Sequence, residues 1–404
     1  MLNDDNMNLN MENEQVDFHN EKKTEIRSLQ DLIDKVSGKN IHPIDYNEES
    51  GIAENSNFPF IAIVGQYEMK LALTLSLINP NIGGVILIGP RGIGKTTAVR
   101  GLIDLLPQID VSLCHYGCME EDILHNGIDS VCPDCAEKYG KNLPLSKKEN
   151  VHLVELPLNA KLSNVIGGID KRQQIHHKMK IKRGILAMSD KNILYIDEIN
   201  LLNDEIINAI LDAAAMGKYT IRRGPISATY QSRFSLIGSM NPEEGILRPQ
   251  ILDRFGLRVI TKGLSNETER YLAYQRAIEY KNNPLNLIKI YENETLIAKE
   301  ELIEARNLIK DVQVPDDIAQ YGIKLINLLK IDSIRAEISL FESAKALSAA
   351  NKKLIVSIDD LKTVAPLALR LRTSQFMSNF INQQELNDQV IKDHIENLFE
   401  KSDQ

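Results

Sequence analysis

One stretch constrains this chain more than any other: GPRGIGKTT, residues 89–97. It follows the apolar run Gly-Gly-Val-Ile-Leu-Ile at 83–88 and precedes a stretch, 98–106, whose spacing predicts a helix. Strand, glycine-rich loop and helix in that order are the context a phosphate loop requires. Gly89, Gly92 and Gly94 let the backbone bend tightly enough for its N–H groups to face inward. The start of the helix adds unpaired donors and the positive end of its dipole, so the nest suits a polyphosphate. Lys95 is expected to reach the β- and γ-phosphates, and the Thr96 hydroxyl to hold Mg²⁺. Gly89, Pro90, Arg91, Gly92, Ile93, Gly94, Lys95, Thr96 and Thr97 are therefore the predicted nucleotide-binding residues. The apolar stretch 58–78 before the loop is placed to pack a base.

A second signature follows at residues 192–200, NILYIDEIN. Its apolar residues predict a buried strand, and two carboxylates stand at the C-terminal end, where open α/β sheets bind ligands. Asp197 is expected to organise the hydrated Mg²⁺ and Glu198 to act as general base on the attacking water. Read alone, the pair also suits a helix cap. Beyond a helix at 201–216 and a hairpin at 218–230, a strand ends near Asn241. Its amide is placed either to orient the water or to form a turn before Pro242. Arg254 is the candidate for stabilising charge on a γ-phosphate, even one bound to a neighbouring subunit; a salt bridge with Asp253 or Glu244 is the other reading. From 266 onward the pattern is helical. Arg335 sits at a helix start, against the dipole, which makes sense if it is aimed at a phosphate.

With 404 residues and a net charge of −9, the chain has room for several cores and no broad basic surface for nucleic acid. No apolar run reaches membrane-spanning length. The start is acidic and Asn-rich, unlike a secretory or transit leader, so the expected location is the compartment of synthesis. Expected boundaries are a polar tail at 1–55, an ATPase α/β domain at 56–265, a helical domain at 266–375 and a polar end at 376–404. The 4 cysteines all fall in 111–153, which reads as irregular. Cys114, Cys118, Cys132 and Cys135 form two close pairs. A four-thiolate zinc site, a redox-responsive pair and plain reduced thiols all remain open. His115 and His125 nearby read as solvated.

Taken in order, FPFIAIVGQ, GPRGIGKTT, VELPLNA, ILYIDEINLL, NPEEGILRPQILDRFGL and SIRAEI resemble the ATPase (I) subunit family of magnesium chelatase over residues 58–372. The resemblance implies an AAA+ P-loop module with a five-stranded parallel sheet, followed by an all-α domain. It implies Lys95 and Thr96 in Walker A and Asp197 and Glu198 in Walker B. Asn241 takes the place of sensor 1, Arg254 of the arginine finger and Arg335 of sensor 2. It implies ATP and Mg²⁺ as cofactors, a homo-oligomeric ring of six, and two partners, an integrin-I-domain D subunit and a porphyrin-binding H subunit. The implied outcome is Mg²⁺ insertion into protoporphyrin IX, in a bacterial cytoplasm or a plastid stroma. A related AAA+ ATPase, MoxR-like or serving a cobalt chelatase, would carry the same site to another client. A DNA-acting AAA+ protein is disfavoured by the charge of −9. No metal is carried over to the cysteines.

Overall fold

A computed structural model of the chain describes residues 57–169, 181–223, 226–245 and 247–372. The predicted tail at 1–55, the end at 376–404, most of the basic stretch 171–182 and the 224–225 turn lie outside them. Strands β1 (Val85–Ile88), β2 (Ile109–Ser112), β3 (Ser146–Glu149), β4 (Leu153–Glu155), β5 (Gly167–Ile169) and β6 (Ile181–Arg183) occupy the first half. Strands β7 (Ile193–Ile196), β8 (Lys218–Arg223), β9 (Ile226–Gln231), β10 (Ser235–Met240) and β11 (Leu257–Ile260) follow. Five of them form one sheet in the order β11-β1-β10-β7-β4, and every pairing in it is parallel.

Parallel strands need crossovers, and the crossovers cover both faces of the sheet. That is why β1 and β7 read as unbroken apolar runs. Val85 and Leu87 join a core with Met69 and Leu73 of α1 (Tyr67–Ile78). Ile86 and Ile88 point to the other face. The phosphate loop feeds α2 (Lys95–Gly101), shorter than predicted because the chain tightens into a 3₁₀ turn at Leu102–Leu105.

Residues 111–153 are more regular than expected. The β2–β3 ribbon, antiparallel with Ser112 opposite Ser146, carries at its open end α3 (Glu120–Asn126) and α4 (Pro133–Gly140). After β4 come α5 (Leu162–Ile166) and β5, which pairs with β6. The second face of the sheet is closed by α6 (Asp204–Met216), whose Ile206, Ile207 and Ile210 pack under Leu194 and Ile196.

The helical region contains α7 (Glu267–Asn282), α8 (Pro284–Ile290) and α9 (Glu292–Leu308). It continues with α10 (Asp316–Leu328), α11 (Ile334–Ala350) and α12 (Ile358–Leu369). Asn283 caps α8 by accepting a bond from Asn286 N–H. The apolar stripes of α11 (Ala336, Leu340, Ala344) and α12 (Leu361, Val364, Ala368) enter the same core as α1 and β1, so helices and sheet share one interior. No side chain caps the start of α11. The Ser333 hydroxyl leaves the helix end and donates instead to Asp253, at 2.8 Å.

Candidate active site

The register Ile88↔Met240 and Ile196↔Gly238 brings the C-terminal ends of β1, β10 and β7 to one edge of the sheet. Gly89, Asn241 and Asp197 are the residues that follow those strands. The cavity at this edge has about 280 Å³ and is lined by the loop from Arg91 to Thr97 with Asp197, Glu198, Ser239 and Asn241. Gly92 and Gly94 have φ of 78° and 87°, the left-handed region that side chains resist. Lys95, only 8% exposed, folds its ammonium onto the loop, donating to the Gly89 carbonyl at 2.6 Å and the Pro90 carbonyl at 2.7 Å. Burial pulls Lys95 below the usual lysine range, against the raising effect of Asp197, Glu198 and Glu244.

Two oxygen donors converge beside it. Thr96 Oγ1 lies 3.4 Å from Asp197 Oδ2, and Tyr195 OH donates to Asp197 Oδ1 at 2.9 Å. Ser239 Oγ also donates to Asp197, and it accepts from Glu198 N–H at 3.1 Å. A hard divalent ion suits this oxygen pair, with water completing its shell. Glu198 sits in the left-handed region, φ 52°, and its carboxylate is engaged by Arg91 at 2.7 Å. Arg91 also pairs with Glu244, and the hydrogen bond to Glu198 is the main effect raising its pKa. The Asn241 amide oxygen accepts from Glu243 N–H at 3.3 Å, so the residue forms a turn and also lines the cavity.

The loop's other side opens into a cavity of about 540 Å³. Phe58, Ile63 and Val64 line it from one side and Arg270, Ala273 and Tyr280 of α7 from the other. Gly92, Ile93, Gly94 and Thr97 border both cavities, so this one has room for the base of a nucleotide whose phosphates lie on the loop.

Arg254 and Arg335 are not in this site. They share a third cleft, about 370 Å³, with Gly83, Gly84, Ser235 and Asp212. Gly83 and Gly84 precede β1 and Ser235 begins β10, so this cleft lies at the N-terminal edge of the sheet. The length of a strand separates it from the phosphate loop. Arg254 pairs with Asp212, not with Asp253 or Glu244. Arg335 meets Asp253 at 3.1 Å.

Residues 160–269 match the MCM P-loop domain and residues 323–395 the AAA lid domain. The chain is 43% identical to the magnesium-chelatase subunit ChlI homolog of Methanocaldococcus jannaschii, over 82% of this chain and 90% of that protein. The chain belongs to the ATPase-subunit family of magnesium chelatase. To the magnesium-chelatase subunit ChlI of Guillardia theta it is 37% identical, over 79% of this chain and 90% of that one. Among solved structures it aligns at 34% identity with a chain of a BchI–BchD complex of magnesium chelatase, covering 80% of this chain and 99% of that chain with a TM-score of 0.45.

Membership in this AAA+ ATPase family agrees with the sheet, the phosphate loop and the helical region described above. Among the described residues no helix is long and apolar enough to cross a membrane. Several polar residues of the site were missed from sequence. Tyr195 and Ser239 lie inside strand runs that read as core; the available signal was a hydroxyl near the C-terminal end of each strand, β7 and β10. Asp253, named from sequence only as a partner for Arg254, instead gathers other residues beside the third cleft. Its carboxylate takes Arg372 at 2.7 Å, Ser333 at 2.8 Å, Arg335 at 3.1 Å and Arg258 at 3.5 Å. Burial alone would raise its pKa, but the Ser333 hydrogen bond and the charges of Arg372, Arg335 and Arg258 outweigh it and hold the carboxyl low. Arg258 and Arg372 have no exposed side-chain surface, whereas Arg335 is 55% and Arg254 31% exposed. The first two brace the fold, and the second two can reach outward. Burial, and then Arg372, push Arg258 down to about 9. His115, expected to be solvated, packs edge-on against Tyr230 at 5.7 Å.

Proposed function

We propose that this chain is the ATP-driven motor subunit of a magnesium chelatase, powering Mg²⁺ insertion into protoporphyrin IX that a partner subunit carries out. The observation behind the motor reading is the division of the site. The cradle, carboxylates and Asn241 stand at one edge of the sheet, and the outward-facing Arg254 and Arg335 stand at the other. A head-to-tail ring of copies brings one edge against the next, and six subunits is the expected number.

In that arrangement Lys95 leaves the loop carbonyls for the β- and γ-phosphates, whose charge also favours its ammonium form. Thr96 and Asp197 hold the Mg²⁺ that accompanies ATP, which neutralises charge on the phosphate oxygens. Glu198 accepts the proton of the water whose oxygen attacks the γ-phosphorus, while the bond to the β-phosphate oxygen breaks. Asn241 orients that water. Arg254 of the adjoining copy balances the charge on the transferring group, and Arg335 contributes there too. Arg91 must release Glu198 before it can serve as a base. Subunit rotation on hydrolysis is then passed to a D-type subunit, and through it to a porphyrin-binding H-type subunit.

Reconstitution with D- and H-type subunits tests the reading. ATP-dependent Mg-protoporphyrin fluorescence is the expected result, lost with Lys95→Ala. Active partners that yield no product with this chain, while it stimulates a different von Willebrand-type partner or cobalt insertion, would overturn the magnesium assignment.

A further inference from the structure

The excursion between β2 and β3 takes no part in the ATP site, yet it gathers all 4 cysteines of the chain. Cys114 and Cys118 flank a tight turn after β2, and Cys132 and Cys135 sit at the start of α4. Their sulfurs all lie within 4.8 Å of one another, although 14 positions separate Cys118 from Cys132. Cys114 Sγ is 3.6 Å from Cys118 Sγ and 3.5 Å from Cys132 Sγ. A tetrahedral ion with metal–sulfur bonds of about 2.3 Å requires sulfurs about 3.8 Å apart. We propose that Cys114, Cys118, Cys132 and Cys135 bind one zinc ion as a four-thiolate centre that pins this excursion against the β8–β9 hairpin.

Three further observations support the site. Backbone N–H groups already point at the sulfurs: Tyr116 N–H donates to Cys114 Sγ at 3.3 Å and Cys132 N–H to Cys118 Sγ at 3.4 Å. Such donors stabilise thiolate charge and orient ligands. The local core is also too small to hold itself. The cluster around the sulfurs buries, besides cysteines, Ile123 and Leu145, with Val131 half-covered, and Met119 is the other buried apolar residue at the start of α3. A module that small needs a staple. The third is charge: four thiolates around a divalent ion leave an excess of negative charge, and the Arg183 guanidinium donates to the carbonyls of Cys114 and His115.

The centre is linked mechanically to the hairpin. Gln231 N–H at the end of β9 donates to the Tyr116 carbonyl at 3.2 Å, and the Tyr116 and Tyr230 rings lie 5.5 Å apart. Tyr116 lies between two of the ligands, so metal loss loosens the surface on which the hairpin rests.

The test is metal analysis of the full-length chain purified under reductant, followed by removal of the metal and titration with Co²⁺. One zinc per chain is expected, together with the intense visible bands of tetrahedral cobalt–thiolate after exchange. Cys132→Ser should lose the metal while still binding ATP, which separates a lost ligand from a misfolded protein. Cys135→His should keep the metal, since imidazole is also a zinc ligand. Zinc binding unchanged in Cys132→Ser would overturn the proposal. So would a full-length chain with four titratable thiols that takes up neither zinc nor cobalt, a disulfide between two of the cysteines without metal, or iron as the resident ion.

Discussion

Glu198 illustrates how a single residue is placed for the role proposed for it, the base that activates water. Its backbone is held in the left-handed region, and its N–H is tied to Ser239 Oγ, which also binds Asp197. The two adjacent carboxylates are thereby turned to different duties, one toward Thr96 and one toward Arg91. Replacing Glu198 with Gln keeps size and hydrogen bonding but removes the base. Nucleotide binding should survive while turnover falls by about 10²–10⁴-fold, as measured by fluorescent-nucleotide titration beside phosphate release. Asp253 tests a different residue-scale claim. Asp253→Asn leaves Arg258 and Arg372 buried without a full counter-charge, a change that costs about 3–5 kcal/mol when a buried pair is broken. Because folding depresses the Asp253 pKa below 3.8, its stabilisation is present above the unfolded value and is lost as pH falls through the folded one. Urea unfolding should therefore show a wide gap between wild type and Asp253→Asn near neutrality, and the gap should narrow below about pH 4.

At the scale of elements, β10 does most to build the site, because its place between β1 and β7 sets Asn241 between loop and carboxylates. The cradle was legible in the sequence because its chemistry is local: glycines, lysine, threonine and the flanking strand and helix all lie within a short stretch. The Asp253 cluster was not, since Arg372 reaches it across 119 positions and nothing near either residue announces the other. Likewise the two cysteine pairs were visible as spacings, but only the fold of the β2–β3 excursion makes them converge. The seating of β11 beside β1 depends on a close backbone approach at Gly256, where a Cβ would lie 1.7 Å from the Ile82 carbonyl oxygen. Gly256→Ala should displace this edge strand and with it Arg254 and Arg258. Thermal unfolding should show a melting temperature several degrees lower, about the effect of losing 1–3 kcal/mol from overpacking.

For the whole molecule, the sheet acts as a divider. The phosphate loop and the carboxylates stand at its C-terminal edge, and Arg335 and the half-buried Arg254 stand at its N-terminal edge, so on the proposed reading one chain cannot bring both to the same γ-phosphate. The shared interior of sheet and helices keeps Arg335 in register with Arg254, because α11 packs into the core that also holds β1. A lone copy is thus expected to bind ATP and hydrolyse it poorly, with assembly supplying what is missing. Mixing two inactive variants, Lys95→Ala and Arg254→Ala, tests this most directly. Some interfaces in the mixed ring then join an intact cradle, from the Arg254→Ala copy, to an intact arginine, from the Lys95→Ala copy, and ATP hydrolysis should reappear where each variant alone shows none. If the mixture stays silent while the wild-type chain hydrolyses ATP at full rate as a monomer, the shared site does not exist.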